Sequence, residues 1–545
     1  MQDYAELSVL LVDPNPGMRA SLRNMLNQSG ITRIDDAVSS GTAIRQLGKR
    51  MYDLVLCEYD LGSGSGDNGQ DGQQLLEDLR HHKLIGPWTI FIMLTSEGVY
   101  GKVVSAAELL PSDYILKPFT VEVLLQRIAK AVGRRTAFLP IYEKITQGDV
   151  RGAIAASTAA EANHPRHATD FARLRAELFF GEGQLAEAEL AYHTILAGRP
   201  IGWAHLGLAR CQFAAQRYDD ALLTLDKLLS QNPKYMAAYD LLARTHEALG
   251  QAVQAKKVLE DAVAISPHMV SRLRHLGTVA YETGDIGVAE KAFKQVVAKA
   301  KYSEFRDPED HVNLVKALVK KGDANQASGV IRDLERSLRG NANTEVCRAI
   351  SAALLLDLTG NDTAAATELS NAVAAVALAK GLSNPLKLNL VQSCLKHKLD
   401  KDAAGVVIDM MNDSDSSLSM EQAVGVFEQA GRHDLARGIG EQITHQVEEL
   451  LESAAGHLEQ GDHRAAVSSL NMALRKSPGN LPVLYAATSA ILRQLDELGW
   501  EAPLGEQAGH LLQRLGRIDS GNPDYDLLMQ QYSATQRKYG ISTTA

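Results

Sequence analysis

Cysteine, aromatic residues, runs of basic residues and long apolar stretches are all scarce in this chain, and each shortage removes a class of function. The four cysteines, Cys57, Cys211, Cys347 and Cys394, lie far apart among apolar residues. A disulfide framework or a thiolate metal site needs closely or regularly spaced thiols, so these read as buried thiols in a reducing compartment. Lysine and arginine never run beyond a pair, as at Arg134-Arg135 and Lys320-Lys321, and the formal net charge is −10. Broad binding to a phosphate backbone needs a basic face, so no direct nucleic-acid partner is expected. No segment approaches the roughly 18 apolar residues needed to span a bilayer. The polar start, Met-Gln-Asp-Tyr-Ala-Glu, lacks the pattern of a signal peptide. A cytoplasmic protein without membrane insertion is therefore expected. Neither a Ser-His-Asp nor a Cys-His arrangement can be argued, and the 16 histidines show no metal spacing. The expectation is a protein that is not an enzyme.

What is present is helix-favouring. Alanine and leucine abound, while aromatics make up only 5% of the residues;. A chain of 545 residues exceeds what one core can hold, so at least two structural units are expected;.

The first unit alternates strands and helices. Leu7–Val12, Gly30–Val38, Asp53–Glu58, Trp88–Leu94 and Asp113–Leu116 read as strands. Gly17–Gln28, Gly41–Lys49, Gln73–His82, Ser105–Leu110 and Val121–Val132 read as helices. Such alternation predicts a parallel sheet covered on both faces. Open sheets of this kind bind ligands at the carboxyl ends of their strands. There the sequence places Asp13, Glu58, Thr95-Ser96 and Lys117-Pro118.

Taken in order, Val12-Asp13-Pro14, Leu56-Cys57-Glu58, Leu94-Thr95-Ser96 and Leu116-Lys117-Pro118-Phe119 resemble the receiver domain of two-component response regulators. Tyr114 stands at that family's aromatic switch position. The resemblance covers about the first quarter of the chain and implies a flavodoxin-like, five-stranded sheet. It also implies roles. Glu58 occupies the phosphoacceptor position, and Thr95, Tyr114 and Lys117 are the switch and phosphoryl contacts. Asp13, Glu58 and the carbonyl of Asp60 would be ligands of Mg²⁺, and Lys117-Pro118 would be a cis peptide. An acyl phosphate forms when a carboxylate attacks a phosphoryl group while Mg²⁺, a lysine and a hydroxyl hold its oxygens.

Two departures weaken that chemistry. The family places a second acid where this chain has Pro14, which cannot ligate a metal. Its acceptor is Asp, whereas Glu58 carries its charge roughly 1.5 Å further out. A pseudo-receiver with weakened Mg²⁺ affinity is the favoured reading, Glu58 partly mimicking a phosphorylated state through Lys117 and Thr95. A receiver still phosphorylated at Glu58 or Asp60 is the alternative. The glycine-rich loop Gly62–Gly72 lacks the order of a calcium loop and reads as a solvated insertion;.

Downstream, Ala221, Ala255 and Ala289 recur every 34 residues, and Gln216, Gly250 and Gly284 keep the same step. Within one period Tyr239, Leu242, Ala243 and His246 precede Gly250, Ala255, Leu259, Ala262 and Pro267. The pattern resembles the tetratricopeptide repeat, with small residues where two helices cross and Gly at the turn. Earlier repeats include Gly148/Ala153 and Gly183/Ala188; fainter ones follow at Gly322, Gly360 and Gly431, and a clear one at Gly461/Ala466. The stretch from Ser383 to Ser419 looks irregular. About nine or ten helical pairs would form a solenoid whose groove binds protein. Trp203, Tyr239, Tyr281 and Phe293 are candidates to line it, although packing is the plainer role for each.

The expected organisation is a receiver at 4–134, well-formed repeats at 139–300, degenerate repeats at 301–440, a C-terminal repeat with capping helices at 441–515, and a helix and tail at 516–545. The segment Gly133–Pro140 would join the units. The function expected is a response regulator or pseudo-response regulator acting as a scaffold or adaptor. Alternatives are a phosphorylated receiver controlling the solenoid, or a solenoid that inhibits or dephosphorylates another regulator. Dimerisation through the receiver and an upstream histidine kinase are left open.

Overall fold

The computed structural model describes residues 4, 6–62, 71–96, 112–267, 269–300, 306–338, 342–412, 420–519 and 522–539. The chain divides into two compact units, Met1–Val330 and Ile331–Ala545.

The first unit opens with five strands, β1 (Ser8–Val12), β2 (Arg33–Ala37), β3 (Leu54–Glu58), β4 (Ile90–Thr95) and β5 (Asp113–Leu116), in the order β2-β1-β3-β4-β5 and paired in parallel. Helices α1 (Pro16–Asn27), α2 (Ser40–Leu47), α3 (Gly72–His81) and α4 (Val121–Thr146) accompany them. Unbroken apolar runs in β3 and β4 follow from burial on both sides. Alternate side chains enter opposite cores: Val55, Cys57, Phe91 and Met93 meet Ile44, Leu75 and Leu79, while Leu54, Leu56, Ile92 and Leu94 meet Leu22, Leu26, Leu124 and Ile128. The flavodoxin-like expectation holds. The helix expected at Ser105–Leu110 and most of the loop after Gly62 lie outside the described residues.

One expectation needs correction. The helix expected at Val121–Val132 is longer, because α4 runs unbroken from the receiver through Gly133–Pro140 into the repeats with Pro140 inside it. Arg135 Nη2 holds Asp53 Oδ1 at 2.5 Å, and Ser8 donates through its backbone N and Oγ to Asp53 Oδ2. The helix beyond the receiver is thus latched to the base of the sheet. On its next turns Phe138 stacks on Phe171 with ring centroids 4.2 Å apart.

Repeat helices follow: α5 (Val150–Asn163), α6 (Ala168–Gly181), α7 (Leu185–Gly198), α8 (Gly202–Ala214), α9 (Tyr218–Gln231), α10 (Met236–Ala248), α11 (Ala252–Ile265), α12 (Val270–Glu282), α13 (Ile286–Ala300), α14 (Glu309–Lys321) and α15 (Ala324–Ser337). Tight turns join the two helices of each pair. Each turn uses one left-handed residue, Gly148, Gly183, Gly250, Gly284 and Gly322 among them, with Gln216 forced into the same region at φ 60°. Ala221, Ala255 and Ala289 are fully buried at the crossings. The first helices of successive pairs also touch, α6 with α8, α8 with α10 and α12 with α14, forming an inner wall. Phe293 is buried against Gly277, where an added Cβ would lie 2.5 Å from the ring, so its role is packing.

The second unit continues the pairing through α16 (Ala342–Leu358), α17 (Asp362–Val376), α18 (Asn384–Lys396), α19 (Asp400–Asn412), α20 (Met420–Gln429), α21 (His433–Glu459), α22 (His463–Lys476), α23 (Leu481–Leu498), α24 (Ala502–Ile518) and α25 (Pro523–Lys538). The stretch read as irregular after Ser383 is the regular pair α18 and α19. Its turn is made by Lys398 at φ 60°, which hid it from a search for glycine.

Candidate functional site

Parallel pairing aligns the strand ends. Val12 stands beside Cys57, Glu58 beside Leu94, and Thr95 beside Leu116, so Asp13, Glu58, Thr95 and Lys117 arrive at one edge. The Lys117 backbone N donates to the Thr95 carbonyl at 2.7 Å, and the Lys117-Pro118 peptide is cis.

Asp13, Glu58 and Thr95 are buried. The Lys117 ammonium enters between the two carboxylates, 3.2 Å from Asp13 Oδ2 and in contact with Glu58 Oε2. The remaining oxygens are also taken. Asp13 Oδ1 accepts from the Asn15 backbone N at 2.8 Å, and Glu58 Oε1 accepts from the Asp60 backbone N at 3.2 Å. Two buried carboxylates and one ammonium, each hydrogen-bonded, form a buried charge cluster;.

The three residues proposed as metal ligands are not equivalent. Asp13 and Glu58 meet through Lys117; Asp60, expected to act through its carbonyl, is an exposed residue whose side-chain Oδ1 accepts from the Gly62 backbone N at 3.0 Å. Pro14 supplies no donor in place of a third acid. Mg²⁺ prefers a cage of free oxygens completed by water. Asp13 and Glu58 are the oxygen-donor side chains that would hold Mg²⁺ here, and Lys117 contacts both of them in this structure. Tyr114 is half-buried against the cluster holding Phe91 and Met93.

Two neighbours escaped sequence reasoning. Arg19, on the first turns of α1, donates to the Asp13 carbonyl and approaches Asp36, which also receives Arg23 at 2.8 Å. Gly72 opens α3 directly beneath the site: an added Cβ would lie 2.4 Å from the Glu58 carbonyl oxygen. Its backbone N donates to the Tyr59 carbonyl at 2.7 Å. Neither carries a motif, since one is a helix-surface arginine and the other a glycine in a glycine-rich loop. The adjacent Cys57 thiol is pushed well up by burial and by the charges of Glu58 and Asp13.

In the second unit, helix ends bring Asp357, Asp362 and His397 within 4.8 Å of one another. Asp357 is already bound by His397 Nε2 at 2.7 Å and Lys396 Nζ at 2.6 Å, an ion-pair network between helices.

The geometry defines a receiver-type sheet joined to a helical repeat array, and comparison with known proteins agrees. The family model described as response regulator receiver domain matches residues 9–129, and one described as tetratricopeptide repeat matches residues 179–245. The chemotaxis protein CheY of Pseudomonas aeruginosa is 27% identical over 128 residues, spanning 24% of this chain and 98% of that protein. Chemotaxis protein CheY-3 of Vibrio cholerae is also 27% identical, over 24% of this chain and 93% of that protein. Among solved structures, a tetratricopeptide repeat protein from Parabacteroides merdae is 16% identical, with TM-score 0.31, over 47% of this chain and 97% of that one. CheY4 of Vibrio cholerae is 20% identical, with TM-score 0.21, over 23% of this chain and 98% of that one. The chain therefore carries a response regulator receiver domain followed by tetratricopeptide repeats. Together these support a signal-transduction response regulator with a protein-interaction region. No helix among the described residues is long and apolar enough to cross a membrane.

Proposed function

We propose that this protein is a pseudo-response regulator, a non-catalytic adaptor whose repeats bind protein partners and whose receiver holds a fixed charge cluster in place of a reversible phosphoryl switch. One observation carries the reading: the Lys117 ammonium bridges the buried Asp13 and Glu58. In a phosphorylated receiver a lysine contacts the incoming phosphoryl group. Here the longer Glu58 side chain, one methylene beyond Asp, brings its own oxygen to that lysine. Pro14 removes an acid that would draw a metal back in. The role of the cation falls to Lys117, and Glu58 stands in for the added negative charge.

Control of output requires that the cluster's state change the affinity for a partner. The test is affinity capture by the full chain and its E58Q and E58D variants, followed by mass spectrometry and titration of the captured partner. E58Q, which removes the charge at constant shape, is expected to shift partner affinity at least tenfold. Equal affinity across all three proteins would overturn the site's control of output.

A further inference from the structure

The receiver does not touch the repeats only through α4. Ser271, at the start of α12, donates through Oγ to Glu77 Oε1 of α3 at 2.8 Å, across 194 residues of chain. Around this bond a cavity of about 190 Å³ is lined by Gln74, Glu77 and Asp78 on the receiver and by Ser271, Arg274 and Lys299 on the repeats. His81, His82 and Asp307 also line it. Burial pushes the carboxyls of Glu77 and of Asp71, the N-cap of α3, upward, while Arg274 and Arg272 beside the first and Lys299 beside the second act in the opposite direction.

The wall that α3 meets is built from first helices of successive pairs. Helix α12 is the first helix of its pair. It is tied along the inner wall to α10 by Arg272–Asp240 at 2.7 Å and His275–Glu247 at 2.6 Å, and to α14 by Arg274–Asp310 at 2.6 Å. These pairs hold α12 rigid while its N-terminal turn faces the receiver. An acidic side chain at a helix N-terminus beside Arg and Lys is favoured by the helix dipole as well as by the charges. The junction is polar and incompletely filled, the kind that separates without exposing a core.

Building on the reading of the repeats as a protein-binding output, we propose that the α12–α13 wall is a docking surface for an acidic helix. The receiver's own α3 occupies it in this structure, so a partner presenting such a helix must displace α3. A short physical path joins this surface to the charge cluster. Gly72 packs without a Cβ against the Glu58 carbonyl, and α3 runs from Gly72 to Glu77 and onward to His81. Movement at the end of β3 therefore shifts the helix that fills the wall.

Hydrogen–deuterium exchange on the full chain tests this. S271D places a carboxylate opposite Glu77 at a helix position that tolerates acids, and E77K opens the same contact from the receiver side. Each is expected to speed amide exchange at least fivefold in the first turns of α12 and on the outer face of α3. The double variant E77K/S271D, with charges exchanged, is expected to restore wild-type protection. Exchange in both single variants indistinguishable from wild type, or a double variant as exposed as the singles, would overturn the proposal. Added to the E77K variant, a synthetic peptide of residues 71–82 is expected to restore that protection; no protection at saturating peptide would overturn the docking surface and leave the partner-capture result untouched.

Discussion

At the scale of single residues, Lys117 carries the most consequence. Its ammonium is shared by two buried carboxylates, and its own side chain is mostly shielded from solvent. Removing one partner of a buried ion group leaves the others uncompensated, at a cost of about 3–5 kcal/mol. K117M is therefore expected to destabilise the receiver by about that amount in urea denaturation. Adding D13N and E58Q to it should recover most of the loss, since no buried charge then remains. A loss below about 1 kcal/mol for K117M would show that the cluster is solvated in solution. The residues of this cluster were legible in the sequence because four motifs arrive in order, each at a strand end. The pairing of Glu58 with Lys117 was legible as well, but nothing in Asp13-Pro14 specifies that the same lysine would take both carboxylates. Arg19 and Gly72 were invisible for a related reason: their importance lies in backbone carbonyls they approach, which leave no trace in residue type.

At the scale of elements, the repeats were read from turns and crossings. The turns need a left-handed residue, which glycine adopts without penalty and other residues at roughly 1–2 kcal/mol. Gln216 accepts that strain at φ 60°. Q216G is expected to raise the stability of the surrounding pair by roughly 1 kcal/mol, read as slower amide exchange in α9; unchanged exchange would contradict the strain argument. The crossings need small residues. A Cβ at Gly207 would lie 2.2 Å from the Tyr192 ring, so G207A should destabilise the α7–α8 packing by about 1–3 kcal/mol;. Legibility failed where these signals were replaced. Lys398 substitutes for glycine in the turn of α18 and α19, and Pro140 sits inside α4 where a proline ordinarily marks a break;. Tertiary anchoring by Arg135 and Phe138 keeps that helix continuous, and anchoring of this kind is not encoded locally.

At the scale of the molecule, the thiols report on packing and the receiver site on phosphorylation. All four cysteines are buried. Burial pushes Cys211 up to about 11 and Cys394 up to about 12, and Cys57 well above its ordinary value. The thiolate is the reactive form. A disulfide reagent such as DTNB near pH 8 should leave the native protein unlabelled and react with all four thiols in denaturant; rapid labelling of the native chain would contradict this packing. The α/β-then-helical order followed from periodicity, whereas the contact between α3 and α12 joins residues 194 positions apart and has no sequence signature. The central claim is that the receiver's acidic site is satisfied from within. Intact-mass spectrometry after incubation with acetyl phosphate and Mg²⁺ addresses it most directly. The wild type is expected to stay unmodified, and the P14D/E58D variant, in which the second acid and the shorter acceptor are restored, to gain one phosphoryl group. An acyl phosphate on Glu58 or Asp60 of the wild-type chain would contradict it.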